Sequence, residues 1–223
     1  TRVKASTNQI LYVFYSTTDG SQYNAPLGVQ LRADGISIWL MLFINIILLF
    51  FFVYITSKRR GQQDTPIFIT LVLFFVSGIN GVILANDFFT LFLSWVLIGI
   101  SIIILVIFNQ KKSELKDSAV RIYLVVGLSI AFQLFAVVFS YGLFGTLNFD
   151  YVFSTSTLHS AENQQNNLLI IYFIMALVII SFGLFAQLFF LNLWIPNTLE
   201  HVPVGVKFLI TGITNNLALI SMI

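Results

Sequence analysis

Two charged side chains, Asp87 and Lys207, lie within or beside long apolar stretches of this chain, in company with the amides Gln133, Gln187, Asn192, Asn215 and Asn216. An ionisable group inside a bilayer is costly, so each one is a functional candidate by default. Asp87 has two readings, an N-cap for the apolar stretch that follows it or a functional carboxylate at the membrane edge. Lys207 either snorkels to the nearby surface along its alkyl stem or is buried. The amides either hydrogen-bond a neighbouring helix or line a hydrated path. They can hold water and relay a proton through it, but storing a proton near neutral pH takes a His, a carboxylate or a Lys with a shifted pKa. The amides alone thus offer a wire without a switch, and the candidate lining of a polar proton path is Asp87, Gln133, Gln187, Lys207, Asn215 and Asn216.

Other chemistries have no footing. His159 and His201 lack metal-ligand partners at recognisable spacing, so no metal is assigned. Cysteine is absent, which excludes disulfides, thiolate metal sites, Cys-ligated iron–sulfur clusters and cysteine nucleophiles. Serine-nucleophile motifs, phosphate-cradling glycine loops and carboxylate pairs at catalytic spacing are not evident.

The elements that must position these residues are membrane helices. Only 9% of the 223 residues are charged and 58% are apolar, against roughly a quarter charged in a soluble domain. Apolar runs of about 20 residues match the thickness of a bilayer core. The expectation is an all-α membrane protein of about six transmembrane helices, with spans near 36–56, 66–85, 88–108, 119–143, 168–191 and 203–223. Residues 1–33 are mixed and polar and read as an aqueous loop or short hairpin preceding the transmembrane domain of residues 34–223. Ser77, Gly78, Asn80 and Gly81 in the second span permit close helix packing, and the short link at Asn86–Asp87 forces spans two and three into a tight antiparallel hairpin. Trp194-Ile-Pro-Asn197 interrupts the pattern after the fifth span.

Charge placement gives an orientation. With the Lys58–Arg60 cluster inside, eight Lys and Arg fall inside and three, Arg2, Lys4 and Arg32, fall outside, a positive-inside pattern. Residues 1–33 and the polar 145–167 segment then face the positive, outer side. A net charge of +2 gives no footing for nucleic acid as a partner. No signal peptide is legible at Thr1, and Ile223 falls inside an apolar run, so the expectation is a trimmed chain or a fragment whose helical neighbours lie elsewhere. Twenty-four Phe with abundant Ile and Asn suit an A/T-rich genome, organellar or low-GC bacterial.

Several stretches together resemble the antiporter-like membrane subunits of respiratory complex I, most closely the NADH dehydrogenase subunit 2 branch. They are Arg32-Ala-Asp-Gly-Ile-Ser37, Leu84-Ala-Asn-Asp-Phe-Phe-Thr-Leu-Phe-Leu-Ser-Trp95, Ser118-Ala-Val-Arg-Ile-Tyr-Leu-Val-Val-Gly127, Phe139-Ser-Tyr-Gly-Leu-Phe-Gly-Thr-Leu-Asn-Phe149 and Leu193-Trp-Ile-Pro-Asn197. The resemblance implies that the six spans form the first half of an inverted-repeat subunit, a design in which an ion path runs by broken helices near the membrane centre. It further implies a Glu where this chain has Val96, a Lys where it has Phe185, and another Lys where it offers Asn215 or Asn216. The family's Pro-x-His reads Phe190-Leu-Asn192 here, and its Asp after Pro is Asn197. In that family the Glu and the first Lys form an ion pair thought to gate protonation, which Val and Phe cannot do.

The resemblance points to a membrane-arm subunit of a proton-translocating NADH:quinone oxidoreductase with degenerate proton-loading residues and a structural or assembly role, itself a non-catalytic subunit. NADH, FMN, iron–sulfur clusters and quinone are expected on partner subunits, with no cofactor on this chain. Partners would be the lipid bilayer and other membrane-arm subunits, including a chain that supplies the second helical repeat. The membrane would be the mitochondrial inner membrane or, alternatively, a bacterial plasma membrane. A cation/proton antiporter subunit and a purely structural membrane subunit are the competing readings.

Overall fold

In lipid a backbone must satisfy its own N–H and C=O groups, so long apolar runs wind into helices. The computed structural model describes residues 2–4, 10–13, 29–59, 64–108, 114–150, 152, 164–188, 202 and 204–222. Helices α1 (Gly35–Lys58), α2 (Thr65–Leu84), α3 (Phe88–Phe108), α4 (Glu114–Phe144) and α5 (Gln164–Phe185) each contain a stretch long and apolar enough to cross a membrane. A shorter apolar helix, α6 (Val204–Ile220), follows. Its centre, Phe208–Thr214, is wound as a π-helix. The protein is thus an all-α membrane bundle.

Helix α5 stops at Phe185 instead of reaching 191, α4 begins at Glu114 instead of near 119, and α6 carries π turns that the apolar pattern did not announce. Residues 189–201, including Asn192 and the Trp194–Asn197 turn, lie outside the described residues, as do His159 and His201.

Local chemistry sets the other boundaries. Pro66 opens the first turn of α2, where its missing N–H costs nothing. Gly145 ends α4 in the left-handed region, at φ +69°, with its N–H donating to the Tyr141 carbonyl at 2.8 Å. Three short strands, β1 (Arg2–Lys4), β2 (Ile10–Val13) and β3 (Gln30–Ala33), form an antiparallel sheet in chain order. Strand β3 is anchored to the α2–α3 turn, where the Asn86 N–H donates to the Gln30 carbonyl at 3.0 Å. This end of the bundle is called the sheet end below.

Helices in lipid gain little from the hydrophobic effect on meeting, so they associate by close packing and interhelical hydrogen bonds. Both are present. Gly78 lets α2 lie against the backbone of α3 at Ser94 and Ile98, and Gly99 sits under Val126 of α4. Around these approaches Phe68, Phe75, Ile79, Trp95, Ile98 and Leu105 are fully buried, whereas Trp39, Phe43 and Phe50 of α1 point outward. Asn45 of α1 donates to the Asn80 side chain of α2 at 2.8 Å. Ser129 and Ser181 clasp α4 to α5 reciprocally, each hydroxyl donating to the other residue's carbonyl at 2.7 and 2.9 Å. Interhelical bonds of this kind contribute about 0.6–2 kcal/mol. Ser181→Ala is therefore expected to lower the melting temperature in detergent modestly, with Ser129→Ala,Ser181→Ala costing less than the sum of the single changes because both act on one clasp.

Candidate functional site

The break at the end of α5 comes from a left-handed residue that is not glycine. Gln187 has φ +56°, the only non-glycine positive φ among the described residues. Around it the chain forms a Schellman-type cap: the Leu188 N–H donates to the Gly183 carbonyl at 3.0 Å and the Gln187 N–H to the Leu184 carbonyl at 3.3 Å. A side chain in this conformation carries a strain of order 1 kcal/mol that the surroundings must hold in place.

What faces the break is the π-helical part of α6. The Asn215 N–H reaches back five residues to the Ile210 carbonyl, and the Thr214 hydroxyl donates to the Leu209 carbonyl at 2.9 Å. Oriented by its surroundings, the Asn215 carboxamide sets its NH2 at 3.1 Å from both the Phe185 and the Ile210 carbonyls. With the Gln187 carboxamide turned to match, its NH2 donates to the Asn215 oxygen at 2.9 Å. One neutral side chain thus serves a carbonyl left over by the end of α5 and another in the π turn. A helix end carries partial negative charge, and here an amide meets it where a cation would also fit.

Beside the break, Phe185 packs against Trp95 of α3 with ring centroids 4.5 Å apart and the rings tilted by 35°, and Phe182 lies 5.7 Å from the same indole. Trp95 is fully buried and Phe185 is 5% exposed. Val96, next to Trp95, is half-buried. The positions where the resemblance implied an ion pair therefore hold a dry aromatic contact and an aliphatic side chain.

At the sheet end, Asp87 is 2% exposed. Its carboxylate accepts from the Thr90 N–H at 2.6 Å, the Thr90 hydroxyl at 2.5 Å and the Gln30 N–H at 2.7 Å. It caps α3 and joins β3 to that helix. Burial pushes its pKa above the ordinary carboxylate value, against the opposing pull of the hydrogen bonds from Thr90, Gln30 and Phe89. Arg32 does not pair with it; that guanidinium bonds Asp34 at 3.0 Å and Asp150 at 2.8 Å.

Of the six candidate residues, Gln187 and Asn215 are brought into contact. The other four stand apart. Gln133 is buried on α4 and Asp87 caps α3, while Lys207 is half-buried in the first turn of α6. Asn216 is exposed and donates to the Gly212 carbonyl of its own helix at 2.6 Å. Sequence reading missed the Ser129–Ser181 clasp, the packing of Phe185 against Trp95 and the roles of Gln30 and Thr90. Thr90, three residues after Asp87, was a usable N-cap signal; the pairs separated by 52 and 57 residues had none.

The site is thus the meeting of the end of α5 at Phe185 with the π-wound part of α6, inside a bundle of membrane-spanning helices. This chain belongs to the family described as NADH:quinone oxidoreductase/Mrp antiporter, transmembrane, whose model matches residues 85–223. The D-type subunit of the Na(+)/H(+) antiporter of Alkalihalophilus pseudofirmus is 27% identical over 195 residues, covering 86% of this chain and 37% of its own length. The N-type subunit of the NADH-quinone oxidoreductase of Cupriavidus taiwanensis is 29% identical over 167 residues, 72% of this chain and 33% of the relative. Among solved structures, a chain of the archaeal membrane-bound sulfane sulfur reductase superposes with TM-score 0.75 at 22% identity, covering 91% of this chain and 40% of that one. A chain of the Mrp complex from Dietzia sp. gives 0.74 at 17%, covering 96% and 38%. The 223 residues span about two-fifths or less of the length of these proteins.

Proposed function

We propose that these residues are the first-repeat part of a membrane-arm subunit of a proton-translocating NADH:quinone oxidoreductase, with a structural and coupling role in place of its own proton loading. The observation that carries this reading is the Gln187–Asn215 amide pair at the α5 break, beside the contact of Phe185 with Trp95. Both arrangements close the site without a titratable group, so the chain can transmit packing changes but cannot load a proton there. The redox chemistry, with NADH, FMN, iron–sulfur clusters and quinone, belongs on this reading to partner subunits, and a second helical repeat comes from outside the 223 residues. The two sequence relatives named above are bacterial, which favours a bacterial plasma membrane over a mitochondrial inner membrane; their names support the complex I and antiporter branches together and do not favour subunit 2.

A cation/proton antiporter subunit is the second reading, because relatives named as D-type subunits of Na(+)/H(+) antiporters match over 86% and 88% of this chain. The two separate on purification. Detergent extraction is expected to bring the chain out in a complex that oxidises NADH; a complex without that activity that instead exchanges sodium for protons in vesicles would establish the second reading. Within the first reading, Gln187→Leu and Asn216→Leu are each expected to leave the proton-to-electron ratio of reconstituted complex nearly unchanged. A collapse of pumping with assembly intact would show that the neutral residues carry the path themselves.

A further inference from the structure

The end of α1 away from the sheet carries a surface that the helix packing leaves open. Ile47, Phe50, Phe51, Tyr54 and Lys58 recur at intervals of three and four residues, so they share one face of α1. Next to that face lies the start of α6. Gly205 lets the two helices meet, because a Cβ there would stand 2.8 Å from the Ile55 Cδ1 and 3.4 Å from the Phe51 Cε2. Beside this approach Phe51 stacks on Phe208, with ring centroids 5.6 Å apart.

Along the contact runs a groove of about 430 Å3, walled by that face of α1 from Ile47 to Tyr54 and by Val204, Gly205 and Phe208 of α6. The Tyr54 hydroxyl is the one polar side-chain group in these walls. Such a lining suits a hydrocarbon chain and gives water almost nothing to bond. The mouth is basic. Lys58, one turn beyond Tyr54, holds its ammonium 5.8 Å from the centroid of the Tyr54 ring and makes no ion pair among the described residues. Lys207, in the first turn of α6, adds a second cation at the same end. The positive-inside pattern places this end at the inner surface, where a tyrosine and a lysine sit at headgroup depth.

We propose that the α1–α6 groove binds one anionic phospholipid of the inner leaflet, with an acyl chain along the groove and the phosphate at Lys58. The charge pattern selects this occupant. An apolar trough that ends on an ammonium without a carboxylate partner matches a molecule with an apolar chain and an anionic head, and basic sites between helices on the inner side recognise headgroups in this way. Bound there, the lipid braces the start of α6 against α1. The site lies apart from the Gln187–Asn215 pair at the break and does not depend on which of the two complexes houses the chain.

A photoreactive side chain in the groove reads the occupant directly. Phe50→p-benzoylphenylalanine is introduced into the full complex, which is extracted from membranes in mild detergent, washed free of loosely held lipid and irradiated. The adduct on α1 is then identified by mass. The expected product is a phospholipid adduct whose anionic headgroups are enriched about fivefold over their share of the membrane extract, the factor that one lysine near the surface supplies. Phe74→p-benzoylphenylalanine, on the outward side of α2, should give detergent adducts instead. Adding Lys58→Gln to the Phe50 variant should abolish the enrichment while the complex keeps its size on gel filtration. An adduct to another peptide would show that a protein helix covers the groove, and would overturn the proposal. So would detergent adducts alone at position 50, headgroups at their share of the extract, or an enrichment that survives Lys58→Gln. Val204→Trp, which fills the groove from α6, should cut the phospholipid adduct severalfold; an undiminished adduct would place the chain elsewhere and sink the assignment.

Discussion

Gly78→Leu is expected to prevent assembly of the bundle, and Gly78→Ala to destabilise it by about 1–3 kcal/mol. A Cβ at this position would lie 2.7 Å from the Ile98 Cγ1, 3.1 Å from the Ser94 carbonyl oxygen and 3.2 Å from the Ile98 backbone nitrogen. Two of those three atoms are backbone and cannot rotate aside, and Ile98 is itself fully buried. Even one methyl group therefore pushes α2 away from α3. The packing that holds two helices together in lipid fades quickly with separation. The damage would spread, because this seam fixes the Asn86–Asp87 turn at one end and holds Trp95 against Phe182 and Phe185 further along α3. Gly142 supplies the control. A Cβ there meets nothing within 4 Å, so Gly142→Ala should raise stability by about 0.4–1 kcal/mol through loss of backbone freedom in the unfolded chain. Thermal melting of the detergent-extracted complex, followed by gel filtration, reads both. If Gly78→Ala melts level with Gly142→Ala, the close approach of α2 and α3 is wrong.

The contrast between that seam and the α5 break shows what this sequence could disclose. Ser77, Gly78, Asn80 and Gly81 stand out because small residues in an otherwise bulky apolar run have few reasons other than close packing. The spans of α1, α2 and α3 were legible for a similar reason, since hydrophobic length must match the bilayer. Helix α5 offered no such mark. Its end rests on Gln187 in a conformation that glycine or asparagine normally adopts, so the apolar run appeared to continue to 191. The π turns of α6 had only a weak sign, the cluster Thr211, Thr214 and Asn215, whose side chains compete for backbone groups. The contact between Gln187 and Asn215, 28 residues apart, depends on both irregularities and so was hidden twice. The Phe185 and Val96 positions were legible as missing charges, but not as part of an aromatic contact. That outcome depends on where Trp95 points, and only the fold determines it.

Asp87 carries the other large expectation. Asp87→Ala should cost about 2–4 kcal/mol, because it strands the Gln30 and Thr90 N–H groups without an acceptor, and each such loss in a buried site costs about 1–3 kcal/mol. Asp87→Asn should cost less, since it keeps one oxygen and turns an NH2 toward a donor. Its pH dependence is the sharper test. Burial raises the pKa of Asp87 above 3.8 in the folded protein, so the folded chain holds this proton more tightly than the unfolded chain does. The stability this group contributes is then fully present below the unfolded value and is lost as pH rises through the raised folded value. The nearby charges do not reverse this, because Arg32 is engaged by Asp34 and Asp150. Asparagine has no proton to lose, so the stability gap between wild type and Asp87→Asn should be widest in acid and narrow as pH rises toward neutrality. Melting curves of the two proteins across that range decide the matter. A gap that widens with pH would mean that the N–H donors of Gln30 and Thr90 outweigh burial and hold this carboxylate ionised, making the sheet-end anchor an anion site with no tendency to take up a proton.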